Sequence, residues 1–188
     1  WTKQSTNFNG GNGRIYGFLV NSSNILLAID ANADVWSSND KGVNWIKIND
    51  DCTGSDGNGV DAASIDSNDN LYAVNGQKIY KSTDAGTNWI KASDDFDLSD
   101  GHNAISMTRD LGGNIYLTDS NDDTYISNTG ITWTKQSTNF NAGNGRVKGF
   151  SSIKKYTNIT FQVKNCSQSN CSDGTWQSAN LSNINLTG

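Results

Sequence analysis

Tryptophan stands at positions 1, 45, 89 and 133, so three successive intervals are each 44 residues. The text around them repeats as well. Trp1 to Phe18 reads WTKQSTNFNGGNGRIYGF, and Trp133 to Phe150 reads WTKQSTNFNAGNGRVKGF. Near-identity three periods apart points to duplication, and a period of this length marks a chain built from stacked supersecondary units.

One unit resolves into four short strands. Gly17–Val20, Ile25–Ile29, Asp34–Ser37 and Trp45–Ile48 are apolar or alternating runs separated by Asn, Asp, Ser and Gly. The unbroken apolar run at Ile25–Ile29 predicts a strand covered on both faces. The next units repeat the order at Ala62–Ile65, Leu71–Val74, Lys78–Lys81 and Trp89–Lys91, then at Ala104–Thr108, Asn114–Thr118, Thr124–Ser127 and Trp133–Lys135. Four strands per repeat of this length predict an all-β fold, a β-propeller of four-stranded antiparallel blades, because each blade buries its faces only against its neighbours. The blades are expected over residues 1–150. Residues 151–188 carry a strand-like run at Thr157–Val163 and a partial repeat of the Trp-bearing turn at Ser172–Trp176, and read either as a diverged fourth blade or as the start of a β-sandwich. Trp1 to Ser5 corresponds to an outer strand whose own blade is missing. Closure then calls for four blades in one chain, a homo-oligomer, or further blades from a longer chain, and the first residue being Trp rather than Met fits a processed form or fragment.

Composition narrows the chemistry. All 19 acidic residues are Asp, and Pro is absent. Asn, Ser, Thr, Asp and Gly are turn formers and poor helix formers, and no segment has sustained helical periodicity. The net charge of −5, with scattered lysines, disfavours a nucleic-acid partner, and none is expected. No apolar segment approaches the roughly 20 residues of a membrane span. Cys166 and Cys171 are spaced for a small disulfide loop and leave Cys52 unpaired, a pattern compatible with an extracellular or cell-surface location. Asn-x-Ser/Thr sequons cluster after Asn158 in the same tail.

The turn before each tryptophan is the most specific local signal. It reads Ser38-Asn-Asp40-Lys-Gly42-Val-Asn-Trp45, then Ser82-Thr-Asp84-Ala-Gly86-Thr-Asn-Trp89. A third copy has Asn128 in place of the aspartate and keeps Gly130 and Trp133. These residues resemble the Asp-box, or bacterial neuraminidase repeat, found in sialidases, sortilin-like receptor ectodomains and photosystem assembly factors. The resemblance implies a propeller and gives these residues a structural role. The aspartate is expected to accept backbone N–H groups two or three residues on, glycine to supply positive φ, and tryptophan to pack under the hairpin with its indole N–H bonded. The resemblance does not carry sialidase activity across. Those enzymes use an arginine triad and a tyrosine activated by glutamate, whereas this chain has only Arg14, Arg109 and Arg146 and no Glu.

Ligands of propellers are expected on the opposite end, where loops enter the innermost strand and join strands two and three. Acid concentrates there as Asp94, Asp95, Asp97 and Asp100 with His102, and as Asp119, Asp122 and Asp123. Paired carboxylates across a cleft are what a glycoside hydrolase needs, yet turn-forming Asp accounts for the same letters. Asp30, Asn32 and Asp34 offer oxygens at alternate positions, as calcium loops do, without the glutamate that completes one; no other cofactor or metal is expected. His102 has no Ser or Cys partner in sequence, and the aspartates preceding Cys52 make its thiol a poor nucleophile. The reading that follows is a non-catalytic extracytoplasmic propeller, a binding or structural module for a protein or glycan ligand. Its alternatives are a fragment of a glycoside hydrolase and a propeller lectin.

Overall fold

The computed structural model describes residues 2–4, 8, 14–54, 59–96, 100–110 and 112–138, with the backbones of two later strands, 160–165 and 175–180. Twelve strands precede residue 138: β1 Ile15–Val20, β2 Leu26–Asp30, β3 Val35–Ser38, β4 Ile46–Asn49, β5 Ala62–Ile65, β6 Leu71–Asn75, β7 Lys78–Ser82, β8 Ile90–Ser93, β9 Ala104–Arg109, β10 Ile115–Asp119, β11 Thr124–Ser127 and β12 Thr134–Ser137. They form three four-stranded antiparallel sheets in sequence order, β1–β4, β5–β8 and β9–β12. Among the described residues there is no helix, as the turn-rich composition predicts. The fold is that of an incomplete β-propeller with three blades described.

The first strands of the sheets face one another, β1 against β5 and β5 against β9, which makes them the inner strands of successive blades. The second strands of the first two blades are buried on both faces, as the apolar run at Ile25–Ile29 predicts for the first. On β6, Leu71 and Ala73 join the core shared with the first blade, while Tyr72 and Val74 join the core shared with the third. Two inter-blade cores hold the stack. One brings Leu19, Leu27, Ile29 and Val35 against Ala63, Ile65 and Leu71. The other brings Tyr72, Val74 and Ile79 against Met107, Ile115 and Leu117.

The hairpins before Trp45 and Trp89 share one bonding scheme. Ser38 Oγ donates to Asp40 Oδ1 at 2.9 Å and accepts the Gly42 N–H at 2.9 Å. Asp40 accepts the Asn44 N–H and side-chain amide at 2.9 and 2.7 Å, and the Trp45 indole N–H donates to the Gly42 carbonyl at 3.1 Å. Ser82, Asp84, Gly86, Asn88 and Trp89 repeat every bond. Gly42 and Gly86 take φ of +86° and +92°, as expected. The aspartate also reaches further than expected: Asp40 meets the Val43 N–H three residues on, and both Asp40 and Asp84 accept the N–H four residues on, which closes the whole turn.

The third hairpin differs further. It has one residue fewer between its serine and glycine, so Ser127 Oγ accepts the N–H of Gly130 three residues on. Thr129, and not Asn128, does the aspartate's work. Its Oγ1 accepts the Ile131 and Thr132 N–H groups at 3.2 and 3.4 Å, while Asn128 is exposed. The buried Trp133 indole N–H has no acceptor there.

The chain divides into two units, residues 1–152 and 153–188. In the second, β13 (Thr160–Asn165) pairs antiparallel with β14 (Thr175–Asn180). The expected Cys166–Cys171 pairing lies outside the described residues.

Candidate functional site

One kind of aspartate turn recurs four times, at both ends of the blades. Asp30, Asp66, Asp110 and Asp119 each accept through Oδ1 the N–H four residues on, at 3.1, 3.0, 2.9 and 2.9 Å. Each accepts through Oδ2 a proton from the aromatic six residues on: Trp36 at 3.1 Å, Tyr72 at 3.0 Å, Tyr116 at 3.2 Å and Tyr125 at 3.2 Å. The chain therefore folds back in a short Asx-type turn and hangs the ring of the following strand on the same carboxylate. Two of these turns, at Asp66 and Asp110, join the first and second strands of their blades. The other two, at Asp30 and Asp119, join the second and third strands, on the expected ligand face.

At the turn following β10, Asp119, Asp122 and Asp123 are all buried. Lys135 on β12 meets Asp123 Oδ2 at 2.5 Å and also contacts Asp100 Oδ2. His102 Nδ1 lies 3.8 Å from Asp119 Oδ2. Asp100, His102, Asp119 and Asp123 thus come together around Lys135 and Tyr125. The ligating atoms of His102, Asp119 and Asp123 lie within 4.8 Å of one another, the spacing of a cation site. Yet the charge a cation would bring is already supplied by the Lys135 ammonium, whose pKa the Asp100 and Asp123 carboxylates push up. Two of the Asp119 acceptor sites are held by backbone N–H groups and a third by Tyr125.

The first blade repeats the arrangement without histidine. Lys47 bridges Asp34 and Asp50 at 2.7 and 2.9 Å, and Asp30 Oδ1 accepts the N–H groups of Asn32 and Asp34. Burial pushes the Asp34 carboxyl up even with Lys47 against it. Of the oxygens that suggested calcium, both of Asp30 thus serve the turn and the Trp36 indole, and Asp34 Oδ2 holds Lys47. In the second blade the corresponding turn is the two-residue Gly76–Gln77, without a carboxylate. There Lys91 pairs with exposed Asp94 at 2.6 Å, and Asp95 bonds through its N–H to Ser93 Oγ. Asp94 borders an open polar cleft of ≈ 270 Å³ with Asn75, Gln77, Lys78 and Asn103. Asp97 lies outside the described residues.

Cys52 is buried, and burial, then the Asp51 charge, push its thiol up to about 12. It is no nucleophile, and burial contributes more to that than the neighbouring aspartates on which the sequence argument relied. A groove of ≈ 500 Å³ opens beside Cys52, between the first and second blades, with Tyr80 and Trp89 in its walls. Sequence reasoning did not find this groove, which no residue spacing records.

No family model matches this chain, and no curated protein matches it. Solved structures do. The chain is similar to YCF48 from Cyanidioschyzon merolae, with 15% identity over 72% of this chain and 39% of that one, at a TM-score of 0.54. It is similar to virginiamycin B lyase from Staphylococcus aureus, with 11% identity over 88% of this chain and 55% of that one, at 0.57. It is similar to the α-L-arabinofuranosidase Arb93A from Fusarium graminearum, with 14% identity over 70% of this chain and 49% of that one, at 0.50. The chain spans about two fifths to just over half the length of these structures. At such identities the likeness is one of fold, and that fold is the β-propeller.

Proposed function

We propose that this chain is part of a non-catalytic Asp-box propeller that works outside the cytoplasm, at a cell surface or in a secreted protein, as a module that binds a protein or glycan partner. The observation that carries the reading is the state of the buried carboxylates. An inverting or retaining glycosidase needs two carboxyl groups facing a sugar across a cleft, one to give a proton and one to act as base or nucleophile. Here Asp119 and Asp30 hold their own turns and the ring six residues on, and Asp123 and Asp34 hold Lys135 and Lys47. These groups are scaffolding. They shape the loops on which a ligand would rest and present an ordered polar surface. A fold neighbour of the same class, YCF48, has been solved bound to the D1 peptide, at 16% identity and a TM-score of 0.51, which fits a propeller used for partner binding. The extracytoplasmic location rests on the Cys166–Cys171 spacing.

The test is to display glycans and peptides on arrays, with calcium present and with chelator, and to recover the ligands afterwards. The expected result is capture of a defined subset, insensitive to chelator, with every ligand recovered intact. Cleavage of an arabinan or β-glucan oligosaccharide would contradict the proposal and favour a fragment of a glycoside hydrolase.

A further inference from the structure

Trp45, Trp89 and Trp133 stand at the same place, just before the fourth strand of each blade, but differ in what covers them. Phe8 stacks on Trp45 at 4.3 Å with the planes 14° apart, and Phe18 meets the same indole at 5.9 Å. Trp133 is buried and meets Phe96 at 6.3 Å. Trp89 is half-buried, and among the described residues no ring lies against it. It lines the ≈ 500 Å³ groove between the first and second blades. Its indole N–H is held by the Gly86 carbonyl at 2.9 Å. The ring is therefore fixed in place and has surface, not a hydrogen bond, to offer a ligand.

Most of the remaining lining is polar, and it is held as firmly. Asn49 Nδ2 donates to the Thr87 carbonyl at 3.0 Å, which ties the end of β4 to the hairpin of Trp89 across the two blades. Asn49 Oδ1 accepts the Asp51 N–H at 3.0 Å. Asp51 Oδ1 in turn accepts the Thr53 N–H and hydroxyl at 2.9 and 2.8 Å, and among the described residues nothing donates to the Oδ2 of this exposed carboxylate. Asn88 gives its backbone and side-chain N–H groups to Asp84 at 2.8 and 2.7 Å, so its Oδ1 is an acceptor. Lys91, whose ammonium pairs with Asp94 at 2.6 Å, adds further N–H donors. One aromatic surface is thus flanked by carboxylate, amide and ammonium groups, and none of Asp30, Asp34, Asp119 and Asp123 takes part.

We propose that this groove is a subsite for one neutral sugar ring of a glycan, with a C–H face of the ring on Trp89 and its hydroxyls on Asp51, Asn88 and Lys91. A sugar ring is apolar where its C–H bonds point and carries hydroxyls around its edge, each of which donates and accepts. The groove matches both halves of that chemistry. A wholly apolar ligand would take water from Asp51 and Lys91 without replacing its hydrogen bonds. An anionic ligand would meet Asp51 in a chain of net charge −5. The ≈ 500 Å³ volume falls within the about 300–1,000 Å³ of small-ligand sites. Walls already fixed by Asn49, Thr53 and Gly86 lose little freedom when a ligand arrives. The inference rests on the reading of the chain as a binding module and selects the glycan as its ligand.

The probes are the methyl glycosides of glucose, galactose, mannose, N-acetylglucosamine and arabinose, titrated into the whole chain while the six tryptophan indole N–H signals are followed by NMR. The expected result is a saturable shift centred on the Trp89 signal with at least one glycoside, and none with N-acetyl-leucinamide. Asp51→Asn keeps the oxygen that Thr53 holds and removes the charge. It should weaken that binding by about tenfold or more, the worth of a hydrogen bond to a charged group. Saturation transfer from the parent protein should reach the C–H protons of the sugar ring, a readout that stands if the variant fails to fold. No shift at Trp89 from any glycoside, an equal shift from N-acetyl-leucinamide, unweakened binding in a folded Asp51→Asn protein, or saturation confined to the methyl aglycone would each overturn the proposal. Capture of peptides alone on the arrays would leave the module reading standing and sink the sugar subsite. Cleavage of an oligosaccharide built from the sugar that shifts Trp89 would do the reverse.

Discussion

Aspartates clamp both the recurring turn and the tryptophan hairpins, and four of them make the fold sensitive to acid. Hydrogen bonds from the Asn44 backbone and side chain hold Asp40 below the ordinary aspartate value of 3.8, and Asn88 does the same for Asp84. Asn114 lowers Asp110, and donors from Asn70, Asn68 and Tyr72 lower Asp66 against its burial. A carboxyl with a depressed folded pKa adds stability above its unfolded value and loses it as pH falls through the folded one. Asp34 and Asp61, raised chiefly by burial, act oppositely, favouring the folded state as they protonate. Denaturant midpoints are therefore expected to fall once pH drops below about 4, with the steepest loss below the unfolded value, as the four lowered groups take up protons. A second residue-scale prediction concerns Gly130, where φ is +73° and an added Cβ would stand 2.1 Å from the Tyr72 ring. Gly130→Ala should cost about 2–4 kcal/mol, read as a fall in melting temperature. The clamp was present in the sequence as Asp, then Asn or Asp four residues on, then an aromatic six residues on. Reading Asp30, Asn32 and Asp34 at alternate positions directed attention to calcium instead, because a list of oxygens does not say which N–H groups consume them.

At the scale of the element, strand order and approximate bounds followed from periodicity, since four runs per 44 residues left little freedom. Boundaries differ by a residue or two at most strand ends. The first strand begins at Ile15 and not Gly17 because Ile15 pairs with Asp30 across an irregularity in register. The third hairpin was harder to read. Matching Asn128 to the aspartate assumed equal length, whereas the shorter turn shifts the acceptor role to Thr129. Thr129→Ala is expected to cost about 1 kcal/mol, the usual worth of a side-chain bond that satisfies a turn, while Asn128→Ala should fall within about 0.5 kcal/mol of the parent. Chemical denaturation of both variants decides this. The reverse ranking would return the aspartate's place to Asn128.

At the scale of the blade stack, β1 presents apolar side chains to solvent among the described residues. Phe18 and Val20, 59% and 46% exposed, occupy on β1 the places that Ala63 and Ile65 occupy on β5, where the preceding blade buries them. Phe18→Ser should therefore change the melting temperature little and improve solubility, whereas Ile65→Ser should cost several kcal/mol. That asymmetry follows from a repeat whose units bury themselves only against one another. The repeat is plain in the spacing of the tryptophans, whereas the groove beside Cys52 depends on how two blades pack side by side, which no spacing records. The proposed role of the acid-rich face's carboxylates as scaffolding makes them necessary to stability. The most direct measurement is the melting temperature of Asp119→Ala beside that of the parent. Loss of a fully buried carboxylate that closes its turn and holds Tyr125 predicts a destabilisation of about 3 kcal/mol, a fall of roughly 5–12 °C. An unchanged or raised melting temperature, the signature of a group kept for chemistry at the expense of stability, would contradict the claim.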